Sequence, residues 1–156
     1  MTALCSMLSD IYNYRQITPT LATSGQPDEQ ELAAIAAAGY EAVLNIALHD
    51  DPGYSLPDED GTVRALGMRY LHIPVRFEAP TQRDLELFFQ AMEDHGGGKL
   101  WVHCAANKRV SVFLGLYWHL RKGMPLEGAF ALQRDIWEPD EVWSRFIEQI
   151  LSARKP

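Results

Sequence analysis

Leu100-Trp101-Val102-His103-Cys104-Ala105-Ala106-Asn107-Lys108-Arg109-Val110-Ser111 is the stretch on which the reading of this chain turns. It begins as a short apolar run. It leads into an apolar pattern of helical spacing, carried by Val112, Phe113, Leu116, Tyr117 and Leu120. Strand, loop and helix are the expected order. A cysteine stands at the end of the strand, followed by a turn with two basic residues, Lys108 and Arg109. Backbone N–H groups at a helix start form an anion site. The same helix end lowers a thiol pKa from about 8.5 into the range of roughly 3.5–7.5. The local chemistry is that of a thiolate aimed at a phosphate-like anion.

Outward from this stretch the chain alternates strands and helices. Upstream, Gly96-Gly97-Gly98 end a helix whose face carries Leu85, Phe88, Phe89 and Met92. Thr81 is its expected N-cap, with Asp84 completing a near capping box. Arg69 to Val75 reads as a strand ended or bulged at Pro74, and Arg76 to Pro80 as a loop. Glu41 to Leu48 is a buried-type strand. His49 to Gly53 form a loop, and Leu56 to Leu66 a helix. Pro27-Asp28-Glu29 opens a helix that Gly39 closes. Leu21 to Thr23 is a short strand, and Ser24 to Pro27 a turn. Met1 to Thr20 form an arm that Ile11, Tyr12, Tyr14 and Ile17 can pack onto the body. Downstream, Pro125 opens one helix carrying Leu126 to Ile136. Pro139-Asp140-Glu141 opens the last, through Ile150.

This alternation calls for an α/β fold with a mostly parallel central sheet flanked by helices. Ligands of such sheets bind beyond the strand C-termini. Cys104 and the loops starting at His49 and Arg76 are expected there.

At 156 residues, 47% apolar and 22% charged, a single globular domain over 1–156 is expected, with 1–20 as its arm. The formal net charge of −7 disfavours nucleic acid and anionic membranes as partners. Any anion site is then a local positive spot on an acidic body. Cys5 and Cys104 have no metal-type spacing and make no disulfide framework. Met1 to Ser9 lack the basic start and apolar run of a secretory signal. No apolar stretch is long enough to span a membrane. The expectation is a cytoplasmic protein with a free, non-catalytic Cys5 thiol and without metal or cofactor. His49, His72, His95 and His119 show no zinc-type spacing. Asp50 and Asp51 read as a solvated turn, and the four tryptophans as packing residues.

Four segments resemble the cysteine-dependent protein tyrosine and dual-specificity phosphatases, in particular their small bacterial branch. They are Thr23-Ser24-Gly25-Gln26-Pro27, Val43-Leu44-Asn45, Tyr70-x-x-Ile73-Pro74-Val75, and Val102-His103-Cys104 followed by Ser111. The resemblance implies a dual-specificity-phosphatase-like fold and a phosphocysteine mechanism. Cys104 would be the nucleophile, Arg109 the phosphate clamp, Ser111 the thiolate helper and Glu78 the general acid. Residues Ala105, Ala106, Asn107, Lys108, Arg109 and Val110 would line the phosphate-binding loop, with His103 orienting it. The partner would be a phosphorylated small molecule or a phosphoprotein.

The chain departs from the family pattern twice. Arg109 lies five positions after Cys104, where the family keeps its Arg at six, a place taken here by Val110. Two alignments follow. If Ser111 keeps its family place, the loop is full length, the Arg is displaced, and Asn107 takes the usual Gly position. If Arg109 keeps its role, the loop is one residue short. The first is preferred. The family's acid falls near Phe77, and Glu78 is the nearest carboxylate. Turnover is expected to be weak. The alternative is a degenerate phosphatase fold that binds phosphorylated or anionic ligands without hydrolysing them.

Overall fold

A computed structural model of the protein describes residues 8–153. Its sheet has five strands: β1 (Arg15–Thr18), β2 (Leu21–Ser24), β3 (Ala42–Asn45), β4 (Arg69–His72) and β5 (Leu100–His103). The spatial order is β1-β2-β5-β3-β4. β1 runs antiparallel to β2, and the other contacts are parallel. The α/β architecture and mostly parallel sheet agree with expectation. One strand was not foreseen. The arm carries β1 as an antiparallel edge, because Arg15-Gln16-Ile17-Thr18 shows little apolar patterning and pairs on one side only. Cys5 lies outside the described residues.

Seven helices flank the sheet among the described residues: α1 (Glu29–Ala37), α2 (Glu59–Ala65), α3 (Gln82–His95), α4 (Lys108–Lys122), α5 (Leu126–Ala129), α6 (Ala131–Ile136) and α7 (Glu141–Ala153). Asp28 with Glu31 and Thr81 with Asp84 form reciprocal capping boxes that start α1 and α3. The single helix expected from Leu126 to Ile136 is divided at Phe130, which ends α5 and precedes α6.

Strand alternation sorts the core onto two faces. Leu100 and Val102 of β5 join Phe88, Phe113, Trp143 and Phe146 on one side. Trp101 turns to the other, with Ile11, Leu32, Ile35 and Val63. There Tyr14 stacks on its indole at 5.5 Å, which ties the arm down. α4 is buried from Arg109 to Tyr117. β5 therefore lies in the middle of the sheet, and its C-terminus delivers Cys104 directly to the buried helix α4. No helix is long and apolar enough to cross a membrane among the described residues.

Candidate active site: the cysteine loop

The loop between β5 and α4 is held from both neighbouring strand ends. Ile46 N–H donates to His103 O at 2.9 Å, and Gln26 N–H to Ala105 O at 3.0 Å. Gly25 pairs with Ala106. A Cβ at Gly25 would stand 2.5 Å from the Ala105 carbonyl oxygen and 2.7 Å from the Tyr12 ring. That contact explains the glycine of the Ser-Gly-Gln-Pro turn: only a bare Cα lets the two backbones approach. The Asn13 side-chain amide donates to Ala106 O at 3.0 Å.

These partners orient the loop. In a trans peptide the carbonyl and the following N–H point in opposite directions. With the Cys104 carbonyl facing His103 Nδ1 and the Ala105 carbonyl facing Gln26, the N–H groups of Ala105 and Ala106 point to the opposite side. Asn107 then adopts a left-handed conformation (φ 65°) and starts α4. Asn tolerates that region better than most residues. Its side chain donates to Thr23 Oγ1 and Asn13 O, both at 2.9 Å, rather than capping the helix. The N–H groups of Lys108, Arg109 and Val110 are thus left without acceptors from the helix itself. Asn107 holds the left-handed position that the first alignment assigns it.

Arg109 and Val110 part company at this point. Val110 is fully buried in the core. Arg109 is only 3% exposed, and its Nη1 donates to the carbonyl of Val75 at 2.7 Å. Its guanidinium carbon lies 5.7 Å from the ring centres of both Tyr54 and Phe77. Its Nε is buried without a partner. The clamp candidate is therefore anchored to the loop after β4. Lys108 turns outward, its Nζ 5.4 Å from the Trp137 ring.

The other predicted residues are not brought together with the thiol in the same way. The Ser111 hydroxyl donates to Lys108 O at 2.6 Å and accepts from Trp137 Nε1 at 3.0 Å. These are not the partners implied for a thiolate helper. One turn into α4, Ser111 faces back along the helix and toward Trp137. Glu78 is 69% exposed and stands 3.8 Å from Arg76. Phe77 packs against Trp137 and Trp143, and its carbonyl accepts from Trp143 Nε1 at 2.7 Å. Cys104 is a free thiol with no exposed surface.

Sequence reasoning missed Glu59, whose Oε2 lies 2.5 Å from His103 Nε2 in a fully enclosed contact. Burial raises the Glu59 carboxyl, but the charge and hydrogen bond of His103, helped by Gln26, pull it below its ordinary value. Only its place after Pro57-Asp58 marked it, as an acid at a helix start. Asn13 and Tyr54 also carried no signal. A cavity of about 360 Å³ opens beside Ala105, walled by Tyr12, Gln26, Pro27 and Tyr54. Among the described residues no group of three or more His, Cys, Asp or Glu side chains is arranged to hold a metal ion.

Residues 13–120 match the family described as the phosphatase-like domain of beta-lactamase hydrolase-like proteins. Two curated relatives, the beta-lactamase hydrolase-like proteins of Xylella fastidiosa strains Temecula1 and 9a5c, are each 30% identical over 102 residues. That match is 64% of this chain and 23% of each relative, so the chain spans about a quarter of their length. A phosphatase-like DUF442 protein from Shewanella putrefaciens CN-32 superposes with a TM-score of 0.85 at 31% identity, over 97% of this chain and 99% of that one. TpbA of P. aeruginosa, solved as a cysteine-to-serine variant with phosphotyrosine, superposes at 0.66 with 18% identity, over 92% and 91% of the two chains. At that identity the likeness is one of fold.

Proposed function

The chain belongs to the phosphatase-like domain family of the beta-lactamase hydrolase-like proteins, a small bacterial branch of the protein tyrosine and dual-specificity phosphatase superfamily, and on that premise we propose that it is a slow cysteine-dependent phosphate-monoester hydrolase. The observation that carries this reading is Arg109, a residue buried in the first turn of a helix with uncapped N–H groups, whose Nε has no partner. A buried guanidinium nitrogen without an acceptor costs free energy that an anion would recover.

In this reading a phosphate sits on the N–H groups of residues 105–110. Cys104 attacks phosphorus, the P–O bond breaks, and Glu78 protonates the leaving oxygen. Water then releases phosphate from the phosphocysteine. Arg109 serves as the clamp while keeping the Val75 carbonyl. Ser111 supports the loop by holding Lys108 and Trp137, not by contact with sulfur. Glu78 lies exposed on an open loop beside Arg76, and an acid so open to solvent, one position beyond the family's place, is the reason for slow turnover. The partner is a phosphorylated small molecule or a phosphoprotein, and phosphotyrosine held by TpbA is a fitting probe.

Purified protein incubated with a small aryl phosphate tests the reading. Turnover that disappears in Cys104→Ser supports it, and equal turnover in both proteins overturns it. A second reading, anion binding without turnover, is favoured by Phe77, which fills the acid position and is fixed between two indoles. Inorganic phosphate binding without turnover of any aryl phosphate selects it.

A further inference from the structure

The arm ahead of β1 meets the cysteine loop at one corner. Among the described residues, two that are not glycine have left-handed backbones, Asn13 (φ 51°) and Asn107 (φ 65°). They stand 94 positions apart in the chain, and each bonds to the corner the other makes. Asn13 Nδ2 donates to the carbonyl of Ala106 at 3.0 Å, and Asn107 Nδ2 donates to the carbonyl of Asn13 at 2.9 Å. The two side-chain amides thus form a reciprocal clasp. Beside it the Tyr12 carbonyl accepts from Gly25 N–H at 2.7 Å, and Gly25 in turn pairs with Ala106.

A left-handed backbone is unfavourable for a residue with a Cβ, and it persists where surrounding contacts over-determine it. Asn tolerates it because its short amide bonds locally. Here the contacts that over-determine both corners are those of the clasp.

The clasp is not what holds the arm on the body. Ile11 is buried, Tyr14 stacks on Trp101, and β1 pairs with β2. What Asn13 adds is local to residues 106 and 107. At that corner the loop becomes α4, so its position sets where the N–H groups of Lys108, Arg109 and Val110 lie relative to Cys104. The Cys104 carbonyl lies against His103 Nδ1, and the Ala105 carbonyl accepts from Gln26 N–H. Asn13 partners the third carbonyl in succession, and it does so from the arm.

We propose that Asn13 is a positioning residue for the anion cradle. Its left-handed backbone aims the amide at the Ala106 carbonyl, and that bond holds the corner at which α4 starts. Asn13 acts on an anion through the loop, without touching it. The role rests on the reading of residues 105–110 as a phosphate cradle, and it does not depend on turnover.

Asn13→Gly is the test. Glycine keeps the left-handed backbone and the carbonyl that Asn107 uses, and removes only the amide. Inorganic phosphate binding is measured by calorimetry at a temperature where circular dichroism shows parent and variant folded. The Kd is expected to rise about tenfold, the equivalent of one good charge-assisted contact. A residue that only stabilised the arm would lower the melting temperature and leave that Kd in place. Asn13→Ala removes the amide and penalises the backbone as well, so its loss of affinity is at least as large. Should either variant not fold, the other decides. Asn107→Gly and the double variant Asn13→Gly/Asn107→Gly complete a cycle. Residues of one network are non-additive, so the double variant loses less affinity than the product of the two single losses. Unchanged phosphate affinity in folded Asn13→Gly overturns the proposal, as does full additivity in the cycle. A parent protein that binds no phosphate overturns the cradle reading and this role together. If the parent binds phosphate, Asn13→Gly binds it less tightly and no aryl phosphate is turned over, the hydrolytic reading falls and the Asn13 role stands.

Discussion

Arg109 of α4 donates through Nη1 to the backbone carbonyl of Val75 at 2.7 Å, so the start of the helix after Cys104 is tied to the loop after β4. Two carbonyls of that loop are pinned this way, Val75 by Arg109 and Phe77 by Trp143 Nε1. Arg109→Ala is expected to lower stability by about 1–3 kcal/mol, because it leaves a buried carbonyl without its donor. It is also expected to weaken inorganic phosphate binding by at least about tenfold, the loss of a charge-assisted contact. Arg109→Lys should not restore binding, since an ammonium lacks the planar fork. Denaturant titration and calorimetry check both effects.

Asn107 contributes both a backbone conformation and a pair of side-chain bonds. Asn107→Gly keeps the left-handed turn but loses the bonds to Thr23 and Asn13, an expected cost of about 1–2 kcal/mol. Asn107→Ala loses the bonds and strains the backbone as well, at about 3 kcal/mol. Thermal denaturation that ranks Gly below Ala in stability would contradict this assignment.

Gly25 faces the Ala105 carbonyl more closely than any Cβ allows. Gly25→Ala is expected to destabilise by about 1–3 kcal/mol, the usual range for overpacking. It should also impair anion binding, since the displaced element is the loop itself. A variant with unchanged melting temperature and phosphate affinity would disprove the close approach.

Acid should destabilise the fold in two stages. His72 has a lowered value in the folded state, so the unfolded chain binds its proton first. Stability then falls as pH drops below about 6.5, the ordinary histidine value. Glu59 is also lowered. Its contribution is complete above the ordinary carboxylate range, near 4.3, and is lost as pH falls through its folded value. Melting temperatures measured against pH should show both declines, and Glu59→Gln should remove the lower one.

Glu78 separates the two functional readings. As general acid, Glu78→Gln is expected to slow turnover of an alkyl phosphate by about 10²-fold or more. An aryl phosphate with a good leaving group should be affected less, since it needs no proton. Equal rates of parent and variant on both substrates would remove Glu78 from the mechanism.

Much of this protein was legible in its residues. The alternation of apolar runs with Pro- and Asp-led helices determined an α/β sheet. The local order around Cys104 determined a strand, a loop and a helix. Thr81 with Asp84 announced a capping box, and Asn107 announced a left-handed turn. These features are local, set by a few consecutive residues and the backbone geometry they prefer. What the sequence left open depends on residues far apart in the chain. Arg15 to Thr18 become a strand only because β2 offers an edge. Glu59 meets His103 across 44 positions. Arg109 points to Val75 rather than simply inward because β4 and its loop pass there. The tertiary structure alone decided the partners of Arg109, Ser111 and Glu59, because the direction of a side chain is settled by which elements the fold packs against it.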